Sequence, residues 1–128
     1  MKILLSIAVA GAAGAVGRYV LGGWTYRMLG ESFPYGTLAV NILGCFLLGS
    51  VQQIGEQTNF FTQETRIAIA VGFLGALTTY STFSYETIRL LEDGSWGPAL
   101  SNVAAHLLLG LFAVWAGITL VRAMMGGG

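Results

Sequence analysis

The third apolar stretch of the chain contains the string GFLGALTTYSTFSYE, residues 72–86. Two glycines in this string are followed by five Ser or Thr residues interleaved with aromatic residues. Glycine and hydroxyl side chains both weaken the hydrogen-bonded backbone of a helix, so we predict a break near residues 75–80. In a membrane, irregular backbone persists only where it lines a cavity or coordinates an ion. The string therefore predicts a transmembrane helix that is interrupted at a functional site.

The composition of the chain excludes an ordinary soluble domain. Apolar residues make up 55% of the 128 residues and charged residues 9%, whereas charged residues are about 25% of a typical soluble domain. The same apolar content excludes a disordered chain. Six basic residues are balanced by six acidic residues. Because nucleic-acid binding requires a basic face, we expect no nucleic-acid partner.

Stretches without a charged side chain are long enough to cross a membrane, which takes about 20 mostly apolar residues in a helix. Three such stretches are Ser32–Gly55, Ile67–Tyr85 and Gly94–Val121, and a fourth runs from Ile3 to about Met28 and contains Arg18. Lipid provides no water for unpaired backbone groups, so each span must be helical. We therefore predict an all-α membrane protein with a single four-helix transmembrane domain over residues 1–128. The predicted spans are about 3–28, 33–54, 66–90 and 98–122.

The basic residues give almost no bias toward one orientation in the membrane. Four spans place Lys2, Arg66 and Arg122 on one face, and Arg27 and Arg89 on the other. Orientation normally follows an excess of Lys and Arg on the cytoplasmic side. The near balance favours insertion in both orientations and pairing with an inverted copy; a weak but sufficient bias is the alternative. A four-span chain is also too small to enclose a pore alone, so we expect assembly.

Two polar side chains lie inside predicted spans, where such groups are costly. Asn41 lies near the middle of the second span, and its carboxamide can serve a ligand or form an interhelical hydrogen bond. Arg18 lies well inside the first span, where it must pair, reach the interface or face water. It can position an anion or join two helices. No carboxylate lies in the middle of a span, so a proton relay or cation site built on Asp or Glu is not expected.

Two aromatic residues of the third span, Tyr80 and Phe83, follow the predicted break. Their ring edges carry partial positive charge, so edges that turn inward can contact a small anion. Ordinary packing in the core is the alternative for both rings.

Three strings resemble the signatures of the Fluc fluoride channels, also called the CrcB family. The strings are GAVGRY at residues 14–19, GTLAVN at residues 36–41 with Gly44, and GFLGALTTYSTF at residues 72–83. The resemblance implies a channel domain that forms a dual-topology homodimer of two antiparallel copies with two pores. It implies passive export of fluoride across the inner membrane of a microbial cell, which relieves fluoride toxicity, and it implies that the protein is not an enzyme.

The resemblance also assigns roles to residues along the fluoride path. It implies that Asn41 offers its amide to fluoride, and that Ser81 and Thr82 are hydroxyl donors. Tyr80 and Phe83 occupy positions where the family has two phenylalanines whose ring edges meet the ion. Tyr80 departs from this pattern, since the family has Phe at this position. Its added phenol can hydrogen-bond fluoride, hold water or narrow the path.

The resemblance further implies a structural sodium ion at the dimer axis, held by backbone carbonyls of Gly75 and Thr78 from both subunits. Asn102 and His106, four residues apart on the fourth span, would extend a polar track toward one mouth. A structural hydrogen bond is the alternative for His106. Arg18 would raise the anion concentration at a vestibule.

Two other classes of membrane protein fit the four spans less well. A small multidrug transporter needs an acidic residue in its first span, and residues 1–30 contain none. A structural or assembly protein of the membrane would leave the Gly-Thr-aromatic string unexplained.

Overall fold

The computed structural model describes residues 1–126, and the last two residues of the predicted domain lie outside the described residues. Within residues 1–126 the secondary structure is helical and contains no β-strand. Four helical regions are long and apolar enough to cross a membrane, namely Lys2–Leu29, Tyr35–Gln57, Gln63–Glu92 and Trp96–Met124. The prediction of four membrane-spanning helices is confirmed, and the chain is a multi-pass membrane protein.

Three of the four regions are single helices, and the third is composite. The single helices are α1 (Lys2–Leu29), α2 (Tyr35–Gln57) and α6 (Trp96–Met124). The third region consists of α3 (Gln63–Ile67), a π-helical segment (Ala68–Leu74), α4 (Gly75–Leu77) and α5 (Tyr80–Glu92). Helix α2 begins two residues later than the sequence predicts. Pro34 is its N-cap residue, and the residue before a proline is restricted to extended conformations.

Glycines bring the helix backbones close together. A side chain at Gly14 of α1 would overlap the carbonyl oxygen of Phe73, and one at Gly72 would press on the backbone of Ile7. Helices α2 and α6 approach in the same way at Gly49 and Gly117. Small residues permit such contact in membranes, where packing rather than water drives association. The π-helical segment, which the sequence does not predict, is thus held directly against α1.

The buried core is small and lies beside the third region. Val40 of α2 packs with Leu74 and Leu77, and all three are almost fully buried. Large apolar side chains on the outer faces, such as Leu108 and Phe112, are exposed. Such surfaces are suited to lipid or to a further copy of the chain.

The close contact between Gly14 and Phe73 generates a prediction. Gly14→Ala should lower the free energy of unfolding by about 1–3 kcal/mol, because a backbone carbonyl must move to admit the new methyl group. Gly23→Ala is the matched control on the same helix, since within residues 1–126 no atom outside its own stretch of helix lies within 4 Å of the added carbon. Thermal unfolding of the purified proteins in detergent should show a lower midpoint for Gly14→Ala only. Equal midpoints for both variants would contradict the packing described here.

Candidate functional site

The third region is interrupted at two residues, Thr78 and Thr79, which have extended backbone angles. Thr78 has φ −88° and ψ 156°, and Thr79 has φ −150° and ψ 114°. Helical structure ends at Leu77 and resumes at Tyr80. Extended residues lose the helical partners of their N–H and C=O groups, which is costly where no water replaces them. Other groups of the chain must therefore satisfy this backbone.

Asn41 of α2 satisfies both backbone groups of Thr79. The Thr79 N–H donates to Asn41 Oδ1 at 2.7 Å, and Asn41 Nδ2 donates to the Thr79 carbonyl at 3.1 Å. The carboxamide thus pairs with Thr79 as a neighbouring strand would. Thr79 is only 6% exposed, so water has little access to its backbone groups. One amide hydrogen of Asn41 is left for another acceptor.

The side chain of Thr79 caps the N-terminus of α5. Its Oγ1 accepts the N–H of Thr82 at 3.1 Å and donates to Thr82 Oγ1 at 2.9 Å. Ser81 Oγ lies 3.2 Å from the same hydroxyl. Threonine is favoured as an N-cap because its oxygen replaces a missing helical acceptor. The hydroxyl groups of Ser81 and Thr82 therefore gather at the positive end of the α5 dipole.

A cavity of about 520 Å³ lies on one side of the interruption. Its lining includes Asn41, Thr79, Tyr80, Phe83 and His106. The ring centroids of Tyr80 and Phe83 are 5.7 Å apart, and those of Phe83 and His106 are 4.3 Å apart. Tyr80 is 80% exposed, so its ring projects from the side of the chain. The structure thus brings together four residues that the sequence predicts along the fluoride path, and the same lining includes Gly75 and Thr78 of the predicted sodium site.

The two predicted polar residues of α6 use their donors within the chain. Asn102 is 0% exposed, and its Nδ2 donates to Thr87 Oγ1 at 2.9 Å. Nδ1 of His106 lies 3.0 Å from the carbonyl oxygen of Asn102 and carries the hydrogen, since a carbonyl only accepts. Oδ1 of Asn102 and Nε2 of His106 are buried and have no hydrogen-bond partner within residues 1–126. The unpartnered atoms of the two residues are therefore acceptors that carry lone pairs.

A second cavity, of about 510 Å³, lies between α1, α2 and α5. Arg18, Thr82 and Glu86 line it, and Arg18 has no ion pair within residues 1–126. Glu86 Oε1 accepts hydrogen bonds from Thr37 Oγ1 at 2.8 Å and from Tyr26 OH at 3.1 Å. Its second oxygen, Oε2, is buried without a partner in the same part of the chain. Thr79 lines both cavities and is therefore part of the wall between them.

Four consecutive carbonyl groups beside the interruption, those of residues 75–78, lack their helical partners within residues 1–126, and Gly75 and Thr78 carry the first and last of them. In a continuous helix the carbonyls of Gly75 and Thr78 would accept the N–H groups of Thr79 and Thr82. Those N–H groups instead donate to Asn41 Oδ1 and Thr79 Oγ1. No hydrogen bond to either carbonyl occurs within residues 1–126. Free carbonyl oxygens are suitable ligands for a hard cation such as sodium, and no cluster of His, Cys, Asp or Glu in the described residues offers an alternative.

Comparison with known proteins shows to which family the chain belongs. A family model described as CrcB-like protein, Camphor Resistance (CrcB), matches residues 5–118. The chain belongs to the CrcB family. Proteins from Geobacter metallireducens and Geobacter sulfurreducens are each 49% identical over 122 residues, which cover 95% of this chain and 98% of the relative. A protein from Pelobacter propionicus is 44% identical over 128 residues, covering 100% of this chain and 99% of the relative.

All three relatives are named fluoride-specific ion channel FluC. The resemblance indicated by the sequence is thus confirmed, and the CrcB family is a family of ion channels rather than enzymes.

In this CrcB chain, four residues at the centre of the site were not predicted from the sequence. They are Tyr26, Thr37, Thr79 and Glu86. A signal exists for Thr37, which precedes Asn41 by four residues and therefore shares its helix face. Glu86 ends the uncharged part of the third region. Its pairing with a residue 60 positions away is not encoded in any local pattern.

Proposed function

We propose that this chain is a fluoride channel, which lets fluoride leave a microbial cell passively across its inner membrane and so relieves fluoride toxicity. Membership of the CrcB family and the names of the relatives support the proposal. The observation that carries it is the meeting of Asn41, Thr79, Tyr80 and Phe83 beside an interruption of a membrane helix. Neutral polar side chains and aromatic rings line the cavity there, and its lining contains no carboxylate.

The mechanism follows from the hydration water that fluoride must lose before it enters the channel. Fluoride holds its hydration water tightly, so a selective path has to replace that water with donors while it keeps larger anions out. The free amide hydrogen of Asn41 and the hydroxyls of Ser81 and Thr82 provide donors, and the edges of Tyr80 and Phe83 provide weaker contacts. None of these groups is a fixed positive charge, so binding is weak enough for the ion to leave.

The path runs along the wall between the two cavities. Arg18 raises the local anion concentration in the cavity between α1, α2 and α5. The ion then passes Thr79 and reaches the cavity of Phe83. His106 acts by packing against the ring of Phe83, and the buried Asn102 joins α6 to α5 through Thr87. In a cell with a negative interior, such a passive path is sufficient for export.

The functional unit is an antiparallel homodimer with two pores that is embedded in lipid. Exposed Tyr80 and Gly75 on the open side of the chain support contact with a second copy. The near balance of basic residues between the two faces supports insertion in both orientations. A sodium ion at the dimer axis is held by the free carbonyls of Gly75 and Thr78 from both subunits. This ion is structural and does not cross the membrane.

The two aromatic residues of the path generate a prediction. Phe83→Ile keeps apolar bulk but removes the ring edge, so fluoride efflux from liposomes should fall about tenfold or more. Tyr80→Phe removes only a phenol oxygen and should keep or raise the efflux. Gel filtration of both variants should show the same dimer as the parent. If Phe83→Ile conducts as well as the parent, the rings line the cavity without contacting the ion.

The orientation of the two copies is tested by fusing reporters for each side of the membrane to the C-terminus. Insertion in both orientations predicts signal from both reporters. Signal from one reporter only would overturn the antiparallel dimer, because every chain would then face the same way.

The sodium site is tested by prolonged dialysis of the reconstituted protein into a sodium-free medium that contains a bulky organic cation. Because carbonyls of both subunits enclose the ion, we expect fluoride flux to disappear slowly. A parallel sample kept in sodium should retain its flux over the same period. Full and lasting flux after sodium removal would reject the site.

A further inference from the structure

We propose that the side chains of Asn41 and Thr79 keep the cation site open. Asn41 binds the N–H that a continuous helix would pair with the carbonyl of Gly75, and Thr79 binds the N–H that it would pair with the carbonyl of Thr78. Asn41 is then a positioning residue for the cation in addition to its role on the anion path. The inference rests on the sodium site of the proposed function and explains what keeps that site open.

The N–H groups that would pair with the carbonyls of Gly75 and Thr78 in a continuous helix both bond to side chains instead. Helical geometry pairs each carbonyl with the N–H four residues later, which means Gly75 with Thr79 and Thr78 with Thr82. The Thr79 N–H is taken by Asn41 Oδ1 at 2.7 Å, and the Thr82 N–H by Thr79 Oγ1 at 3.1 Å. One side chain therefore occupies the N–H that could return to the carbonyl of Gly75, and the other occupies the N–H that could return to the carbonyl of Thr78.

The alternative, a continuous helix, is disfavoured by Asn41 itself. If Thr79 returned its N–H to Gly75, Oδ1 of Asn41 would lose its donor, and Nδ2 would lose the Thr79 carbonyl to which it donates at 3.1 Å. An amide left without partners in a membrane interior is costly. Thr79 is only 6% exposed, so water has little access to its own N–H and C=O groups. The interruption is thus stabilised from α2, across the helix interface.

One amide therefore serves both ions. Oδ1 of Asn41 and one of its hydrogens hold the backbone that opens the cation site, and the second hydrogen is available to the anion. The two functions depend on different atoms of the same side chain, so substitutions can separate them. Asp retains an acceptor for the Thr79 N–H but has no amide hydrogen, whereas Leu, of similar shape, has neither.

The test measures sodium retained by the purified dimer during dialysis into sodium-free buffer, together with deuterium exchange of the Thr79 amide. Asn41→Leu should release sodium about tenfold faster than the parent or more, and the Thr79 amide should exchange faster by a similar factor. Asn41→Asp should retain sodium near the parental rate. Both variants should lose fluoride flux.

A second pair of variants tests the other carbonyl. Thr79→Val removes the oxygen that accepts the Thr82 N–H and should also speed sodium release about tenfold, whereas Thr79→Ser keeps that oxygen and should retain the ion. Phe83→Ile is the control that lowers flux without touching either side chain, and its sodium release should equal that of the parent.

The outcomes separate two questions, whether the dimer holds sodium and whether Asn41 and Thr79 keep its site open. A parent dimer that contains no sodium would overturn the sodium site, whatever the variants do. A parent that contains sodium, and variants Asn41→Leu and Thr79→Val that release it at the parental rate, would overturn the roles of Asn41 and Thr79 alone. If Asn41→Leu does not fold, the comparison of Thr79→Val with Thr79→Ser decides in the same way.

Discussion

The structure depends on one constraint, which is that backbone groups cannot remain unpaired inside a membrane. Thr78 and Thr79 leave the helix near the middle of the membrane-spanning region Gln63–Glu92. The carboxamide of Asn41 pairs with both backbone groups of Thr79. The Thr79 side chain accepts a hydrogen bond from the Thr82 N–H at the start of α5. The carbonyls of Gly75 and Thr78 are among those that remain free within residues 1–126. The interruption is therefore a stable feature that the rest of the bundle supports.

The surrounding helices hold this interruption in place. Glycines let α1 lie directly on the π-helical segment. Thr78 packs against Gly44 of α2, and a side chain at position 44 would overlap the methyl group of Thr78. Val40, Leu74 and Leu77 fill the space beside the interruption. A site that discriminates between ions of similar chemistry needs its donors at fixed positions. Close backbone packing provides that rigidity in a chain with a small buried core.

Different parts of this structure were predictable from the sequence to different degrees. The four spans were predictable because the lengths of uncharged stretches report membrane thickness directly. The position of irregular backbone is encoded locally, since Gly75 and the threonines after it are poor helix formers. The π-helical segment was not predictable, because its contact with α1 is tertiary. The same holds for the bonds of Tyr26 and Thr37 to Glu86, which join residues 60 and 49 positions apart.

The central claim is that this chain conducts fluoride and discriminates against chloride without a fixed charge where Asn41, Tyr80 and Phe83 line the cavity. Its most direct test is the reversal potential of the purified protein in a planar bilayer, with fluoride on one side and chloride on the other. Neutral hydrogen fluoride carries no current, so the measurement reports the anion alone. A fluoride-selective channel should give a large reversal potential, with the sign set by fluoride. A reversal potential near zero, or one with the sign set by chloride, would contradict the central claim.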